Sequence, residues 1–227
     1  MGVKKAQPLI SRLLETFFQL LYHSLAWSYD LVAATVSLGR WNNWVRSIYP
    51  MISKGRILEL GFGPGHLQVD LLKSGQPIFG IDESTQMCRF AQRRIKKAGL
   101  SGAIARADAR MIPFPSGYFN VVAATFPSPY IFQSSTLHEI RRILRPDGKL
   151  VVLLAALPMG TSIADRIIHQ LFKITGEAPP PEEILSKFEQ QGQTFGLRIS
   201  HQWLNYKADR LLIVTAVPIE PEKEGFA

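Results

Sequence analysis

With 227 residues, 46% of them hydrophobic and 19% charged, the chain reads as an ordinary globular protein of one domain with elaborations, too short to need two full cores. Its single cysteine, Cys88, excludes an internal disulfide and a zinc site built from several thiolates, and suits a reducing compartment, with the cytoplasm as default. The net charge of +8 draws anionic partners over long range but does not choose between nucleic acid and a lipid surface.

Residues 9–26 place Ile10, Leu13, Leu14, Phe17, Leu20, Leu21 and Leu25 mainly on one helical face, opposite Arg12, Glu15, Gln19 and His23, which predicts an amphipathic helix. No run reaches the roughly 18 consecutive apolar residues of a membrane span, and no small-residue cleavage site follows convincingly, so neither a span nor export is expected. A second helix is predicted over residues 30–46, ending before Pro50. From residue 55 the pattern becomes short β-rich runs alternating with helices. Strands are predicted over 56–60, 78–81, 103–107, 119–125 and 149–155, and helices to residue 72, over 84–98 and over 134–144. Strands separated by helices imply crossover connections and hence a parallel sheet covered on both faces. Residues 162–174 are predicted to form a further amphipathic helix ended by Gly176, Pro179-Pro180-Pro181 a stiff break, and 182–190 a short helix stopped by Gly192. Runs 197–203 and 210–217, joined by residues 204–209, are expected to pair as an antiparallel hairpin at the sheet edge. The fold expected is therefore α/β, a Rossmann-like sheet of seven mostly parallel strands with a C-terminal edge hairpin. The domain division is an N-terminal helical lid or membrane-surface element at 1–50, the main domain at 51–218 with a helical insertion at 159–191, and a flexible tail at 219–227.

The turn after the first strand reads Gly61-Phe62-Gly63-Pro64-Gly65-His66, and glycines there let a nucleotide-like ligand lie against bare backbone. A dinucleotide fold places glycine at the sixth position, where this chain has His66. Glu59 precedes the turn, where its charge repels pyrophosphate but suits an ammonium or sulfonium group. Asp82 closes the second strand, where a carboxylate accepts hydrogen bonds from ribose hydroxyls. Asp108 ends the third and could take the exocyclic amine of adenine, or alternatively cap a helix. All three lie on the carboxyl edge, where open α/β sheets bind ligands.

These features in order, Glu59-Leu60-Gly61 to Gly65, then Gly80-Ile81-Asp82, Ala107-Asp108-Ala109, Phe119-Asn120-Val121-Val122 and Leu144 to Val152, resemble the class I S-adenosylmethionine-dependent methyltransferases, in their small-molecule, lipid and quinone methylating branch. The resemblance covers roughly residues 50–155. It implies that Gly61, Gly63 and Gly65, with Glu59 beneath, hold the amino-acid part of S-adenosyl-L-methionine, Asp82 its ribose and Asp108 its adenine. It further implies that Met87 packs on the adenine ring and that Tyr29, in an aromatic-Asp pair with Asp30, lies near the cofactor carboxylate. Two positions depart from the family. Asn120 replaces an acid in the fourth strand, and in Pro127-Ser128-Pro129-Tyr130 a proline stands where amino-methylating enzymes hold an acceptor nitrogen.

The resemblance implies in-line methyl transfer; the Leu, Ile and Phe of the N-terminal helices and of the 159–191 insertion make a small, apolar or lipid-like acceptor the hypothesis, and no metal is expected. No catalytic residue is assigned, because an amine or phenolate needs little help while a neutral hydroxyl or carbon acid needs a proton acceptor. His66, His138, His169 and His201 read as structural or surface residues rather than bases, and the basic runs Arg89 to Lys97 and Arg141 to Arg145 as solvated helix faces. A peripheral contact with an anionic membrane is the hypothesis for the amphipathic N-terminus. Competing readings are an RNA methyltransferase using the first basic run as a phosphate track, and a non-catalytic methyltransferase-like binding protein.

Overall fold

The computed structural model describes residues 37, 39–52, 54–160 and 182–219. The expected helices at 9–26 and 162–174, the triple proline, Tyr29, His169 and all but the first residue of the tail lie outside them.

Two short helices, α1 (Trp41–Ser47) and α2 (Tyr49–Ile52), lead into β1 (Ile57–Leu60). There follow α3 (His66–Lys73), β2 (Ile78–Asp82), α4 (Thr85–Lys97), β3 (Ala103–Arg106) and β4 (Phe119–Thr125). A 3-10 turn (Pro129–Phe132), α5 (Ser134–Ile143), β5 (Leu144–Pro158), α6 (Glu182–Thr194), β6 (Leu197–Tyr206) and β7 (Asp209–Pro218) complete the described chain. The strands form one seven-stranded sheet in the order β3-β2-β1-β4-β5-β7-β6. Pairings among β1 to β5 are parallel, whereas β7 runs antiparallel to both β5 and β6. This is the expected Rossmann-like sheet with its antiparallel edge hairpin. Among the described residues no helix is long and apolar enough to cross a membrane.

Every residue of β1 is buried, as a central parallel strand covered on both faces requires. Alternation along the strand then assigns the faces. Leu58 and Leu60 join Val122, Leu137 and Ile140 in the core under α5, while Ile57 joins Trp44, Leu67, Leu71, Val121 and Val151 in the core under α1 and α3. Glu59 shares the parity of Ile57 and so faces α3.

Several boundaries differ from expectation for identifiable reasons. The helix expected over 30–46 begins at Trp41 within the described residues, because Gly39 takes φ +76° in a turn closed by the Arg40 N–H donating to the Ser37 carbonyl. Pro50 lies inside α2 rather than beyond a helix end, tolerable because a first-turn N–H has no helical acceptor. Gly192 does not stop α6, which runs on to Thr194. Its role is proximity, since a Cβ there would lie 2.5 Å from Ile199 Cδ1 on β6. The hairpin strands extend to Tyr206 and from Asp209, leaving a two-residue turn with Lys207 at φ +55°.

The α1–α2 segment is fixed to the domain by polar contacts that no local pattern announces. The Trp44 indole N–H donates to Asp209 Oδ2 at 2.7 Å and Arg40 Nη1 to Asp209 Oδ1 at 2.7 Å. Arg46 and the Tyr49 hydroxyl both donate to Asp70 Oδ2 on α3. Because Asp209 pairs in register with Pro158 at the end of β5, these contacts bring α1 to the carboxyl edge of the sheet.

Candidate active site

At the end of β1 the chain leaves the sheet through the glycine turn. Gly61, Gly63 and Gly65 all have positive φ, at +66°, +53° and +82°, a region costing other L-residues roughly 1–2 kcal/mol. The turn is tied down by the Gly61 N–H donating to the Ile81 carbonyl at 2.8 Å and the Gly65 N–H to the Phe62 carbonyl at 3.0 Å. A Cβ at Gly65 would lie 2.8 Å from Ala91 Cβ, so this glycine lets α3 and α4 meet. Gly63 has open space where a Cβ would stand, leaving the backbone accessible to a ligand.

Asp82 follows on the neighbouring strand. Its Oδ2 accepts the Gly63 N–H at 2.9 Å and its Oδ1 the Ser84 N–H at 2.8 Å. The carboxylate is thereby oriented beside the turn with acceptor capacity remaining on both oxygens. Burial pushes its pKa up and outweighs the lowering by the two N–H donors, with the Glu83 charge raising it further.

Glu59 lies entirely within the protein, 1% exposed. Gln68 Nε2 donates to its Oε2 at 2.8 Å, joining β1 to α3. Burial pushes its pKa up to about 8; the Gln68 bond opposes this and the Asp82 charge reinforces it. Met87 is 2% exposed and sits in the first turn of α4, its N–H on the Ser84 cap, so its side chain lies under the edge rather than on it.

Asp108 begins the loop after β3 and does not cap a helix. Arg110 closes onto it, with Nε 2.9 and 2.8 Å from Oδ1 and Oδ2 and the Arg110 N–H on Oδ1 at 2.8 Å. The guanidinium holds this carboxyl below its usual range. The loop is gripped further along by a pair the sequence reading missed. Arg142 Nη1 donates to the Phe114 carbonyl at 2.7 Å and Nη2 to the Ile112 carbonyl at 2.8 Å, while Glu139 Oε2 accepts the Ile112 N–H. Arg142 Nε and Nη2 also bind Glu139. Arg142 is therefore no solvated member of a basic face; the signal for it was the Glu-x-x-Arg spacing opposite a loop whose Pro113 and Pro115 donate nothing. Arg145 lies past the helix, paired with Asp147. In the other basic run Arg94 donates to the Pro64 carbonyl at 2.7 Å, while Arg89, Arg93, Lys96 and Lys97 are exposed on α4.

The two departures separate in space. Asn120 sits at the start of β4, where its Oδ1 accepts the Arg56 N–H at 3.0 Å, on the edge opposite the turn. It is a structural tie, and its difference from an acid has no bearing on the ligand edge. After β4, Phe126 takes φ +47°, its N–H donating to the Leu153 carbonyl at 2.7 Å and its ring 4.2 Å from that of Trp41. The chain turns there, and the Tyr130 hydroxyl arrives over the end of β1, donating to the Leu60 carbonyl at 3.1 Å. His138 is exposed. His201 bridges Glu189 at 2.7 Å and Glu182 at 3.2 Å, joining α6 to β6.

The glycine turn, Asp82 and the Asp108 loop thus meet along one edge, flanked by Tyr130 and the Trp41–Phe126 aromatic pair. Residues 57–148 match the protein-family profile described as "Methyltransferase domain". The chain is 29% identical over 161 residues to the ubiquinone/menaquinone biosynthesis C-methyltransferase UbiE of Blochmanniella floridana, covering 66% of this chain and 62% of that protein. It is 32% identical over 139 residues to the demethylmenaquinone methyltransferase of Thermus thermophilus, covering 59% and 63% respectively. The chain thus spans less than two thirds of the length of these relatives. A solved structure assigned as an S-adenosyl-L-methionine-dependent methyltransferase from Methanococcus maripaludis has the same fold, with a TM-score of 0.63 at 17% identity, covering 98% of this chain and 100% of that one. Residues 57–148 thus match a methyltransferase domain, set on a Rossmann-like sheet that shares its fold with a solved S-adenosyl-L-methionine-dependent methyltransferase.

Proposed function

We propose that the protein transfers a methyl group from S-adenosyl-L-methionine to a small, apolar, lipid-like acceptor of the quinone class. The observation that carries this reading is the open turn at Gly63, whose N–H is held by the same Asp82 carboxylate that faces the ligand edge. The quinone class is favoured by the names of the two relatives and by the aromatic wall of Trp41 and Phe126 at that edge.

Bound along this edge, the cofactor supplies an electrophilic methyl group on a sulfonium. Gly61, Gly63 and Gly65 give its amino-acid part bare backbone, and Asp82 accepts from the ribose hydroxyls. Asp108 accepts from the adenine amine, sharing or exchanging its Arg110 partner, while Met87 supports the site from below. Buried Glu59 contributes through the Gln68 bond that fixes the turn on α3, and Tyr29 is the further candidate contact on the N-terminal side. The chain's catalytic contribution is to align donor and acceptor and exclude water. Residues 51–218 constitute the catalytic domain, with 1–50 as its lid or membrane-surface element and 159–191 as an insertion over the acceptor.

Calorimetric titration with S-adenosyl-L-methionine tests the donor assignment. The parent protein is expected to bind, and Asp82→Ala to weaken binding by about 10- to 100-fold, the worth of a charged hydrogen-bond acceptor. Absence of binding by the parent overturns the reading. Transfer of labelled methyl from the donor to a demethylated naphthohydroquinone, against a soluble amine acceptor, tests the acceptor class.

A further inference from the structure

The backbone after β4 aims a hydroxyl at the glycine turn that the methyltransferase reading leaves unused. Phe126 holds a left-handed backbone that is costly for an aromatic residue, fixed by the Leu153 carbonyl and the Trp41 ring. The Pro129–Phe132 turn then carries Tyr130 back across to β1. Its hydroxyl proton is directed at the Leu60 carbonyl, 3.1 Å away. Its oxygen lies 2.9 Å from the position a Cβ on Gly61 would occupy. Gly61 therefore has a second reason to lack a side chain besides its φ: the phenol oxygen already stands there.

We propose that the Tyr130 hydroxyl oxygen contacts the sulfonium end of the bound donor and makes the site prefer the charged methyl donor over its neutral thioether product. This rests on the donor placement proposed above. With the amino-acid part at the glycine turn and the ribose at Asp82, the sulfur that joins them lies beside the end of β1. Tyr130 approaches that point from the β4 side, and Asp82 from the β2 side. With its proton committed to Leu60, the phenol turns its electron-rich side toward the turn. A sulfonium and its polarised methyl hydrogens are attracted to such an oxygen, whereas a thioether, lacking the positive charge, is not.

The test is Tyr130→Phe, which keeps the ring and removes only the oxygen, titrated separately with S-adenosyl-L-methionine and S-adenosyl-L-homocysteine. Affinity for the methyl donor should fall about three- to tenfold while affinity for the thioether stays within about twofold. A melting temperature within a few degrees of the parent's confirms that the fold is retained. Equal weakening of both ligands would make Tyr130 a structural brace and overturn the proposal, as would no change in either. Failure of the parent to bind either ligand would instead defeat the methyltransferase reading beneath it, so the two failures are distinguishable.

Discussion

Glu59→Gln should stabilise the donor-free protein at alkaline pH and flatten its stability profile. In an unfolded chain this carboxyl titrates near 4.5; in the fold, burial pushes it to about 8. Between those values the folded state holds a proton the unfolded chain has released, so stability falls as pH rises through this window and is level on either side. At about 1.4 kcal/mol per pH unit, the whole window is worth about 5 kcal/mol, of which about 3 kcal/mol falls between pH 5.5 and pH 8.5. Glutamine cannot ionise. It still accepts from Gln68 Nε2, and it brings an N–H for Gln68 Oε1, a buried oxygen without a partner among the described residues. Urea unfolding of both proteins without donor at pH 5.5, 7 and 8.5 reads the difference directly. The parent should lose about 3 kcal/mol more than the variant across that range. Parallel profiles would refute a carboxyl kept neutral by burial beside the glycine turn.

Two further substitutions test the contacts that frame the site. Asp209→Ala removes the acceptor of the indole N–H of fully buried Trp44 and one partner of the Arg40 guanidinium, and should cost about 2–3 kcal/mol in thermal unfolding, with Asp209→Asn costing less because an acceptor remains. Arg142→Ala releases the Ile112 and Phe114 carbonyls together, and should cost about 2–4 kcal/mol and expose the 108–118 loop to tryptic cleavage at Arg110. Arg142→Lys should recover little, since only a guanidinium spans both carbonyls and Glu139.

Local chemistry alone wrote the alternation of strands and helices from β1 to β5, the edge hairpin and the glycine turn. A buried run such as Ile57 to Leu60, a cap such as Ser84 and glycines where φ turns positive depend on neighbours close in sequence. The positions of Glu59, Asp82 and Asp108 at successive strands were legible for the same reason, because parallel crossovers bring strand ends to one edge. What each residue does there depended on how the elements pack. Packing of the helices on the sheet made Glu59 a buried acid on Gln68 and put Met87 beneath the surface, and the pairing of Asn120 with Arg56 fixed it on the opposite edge, while Asp108 closed onto Arg110 two residues further on. Arg142 illustrates the limit: helical periodicity places it beside Arg141, but only the return of the 108–118 loop over α5 turns it from a surface cation into a clamp. Tyr130 shows the same division. Sequence placed an aromatic residue in a proline-rich loop after β4, and the tertiary structure alone decided that its hydroxyl would lie against Gly61, because Phe126, Leu153 and Trp41 fix the direction in which that loop leaves the sheet.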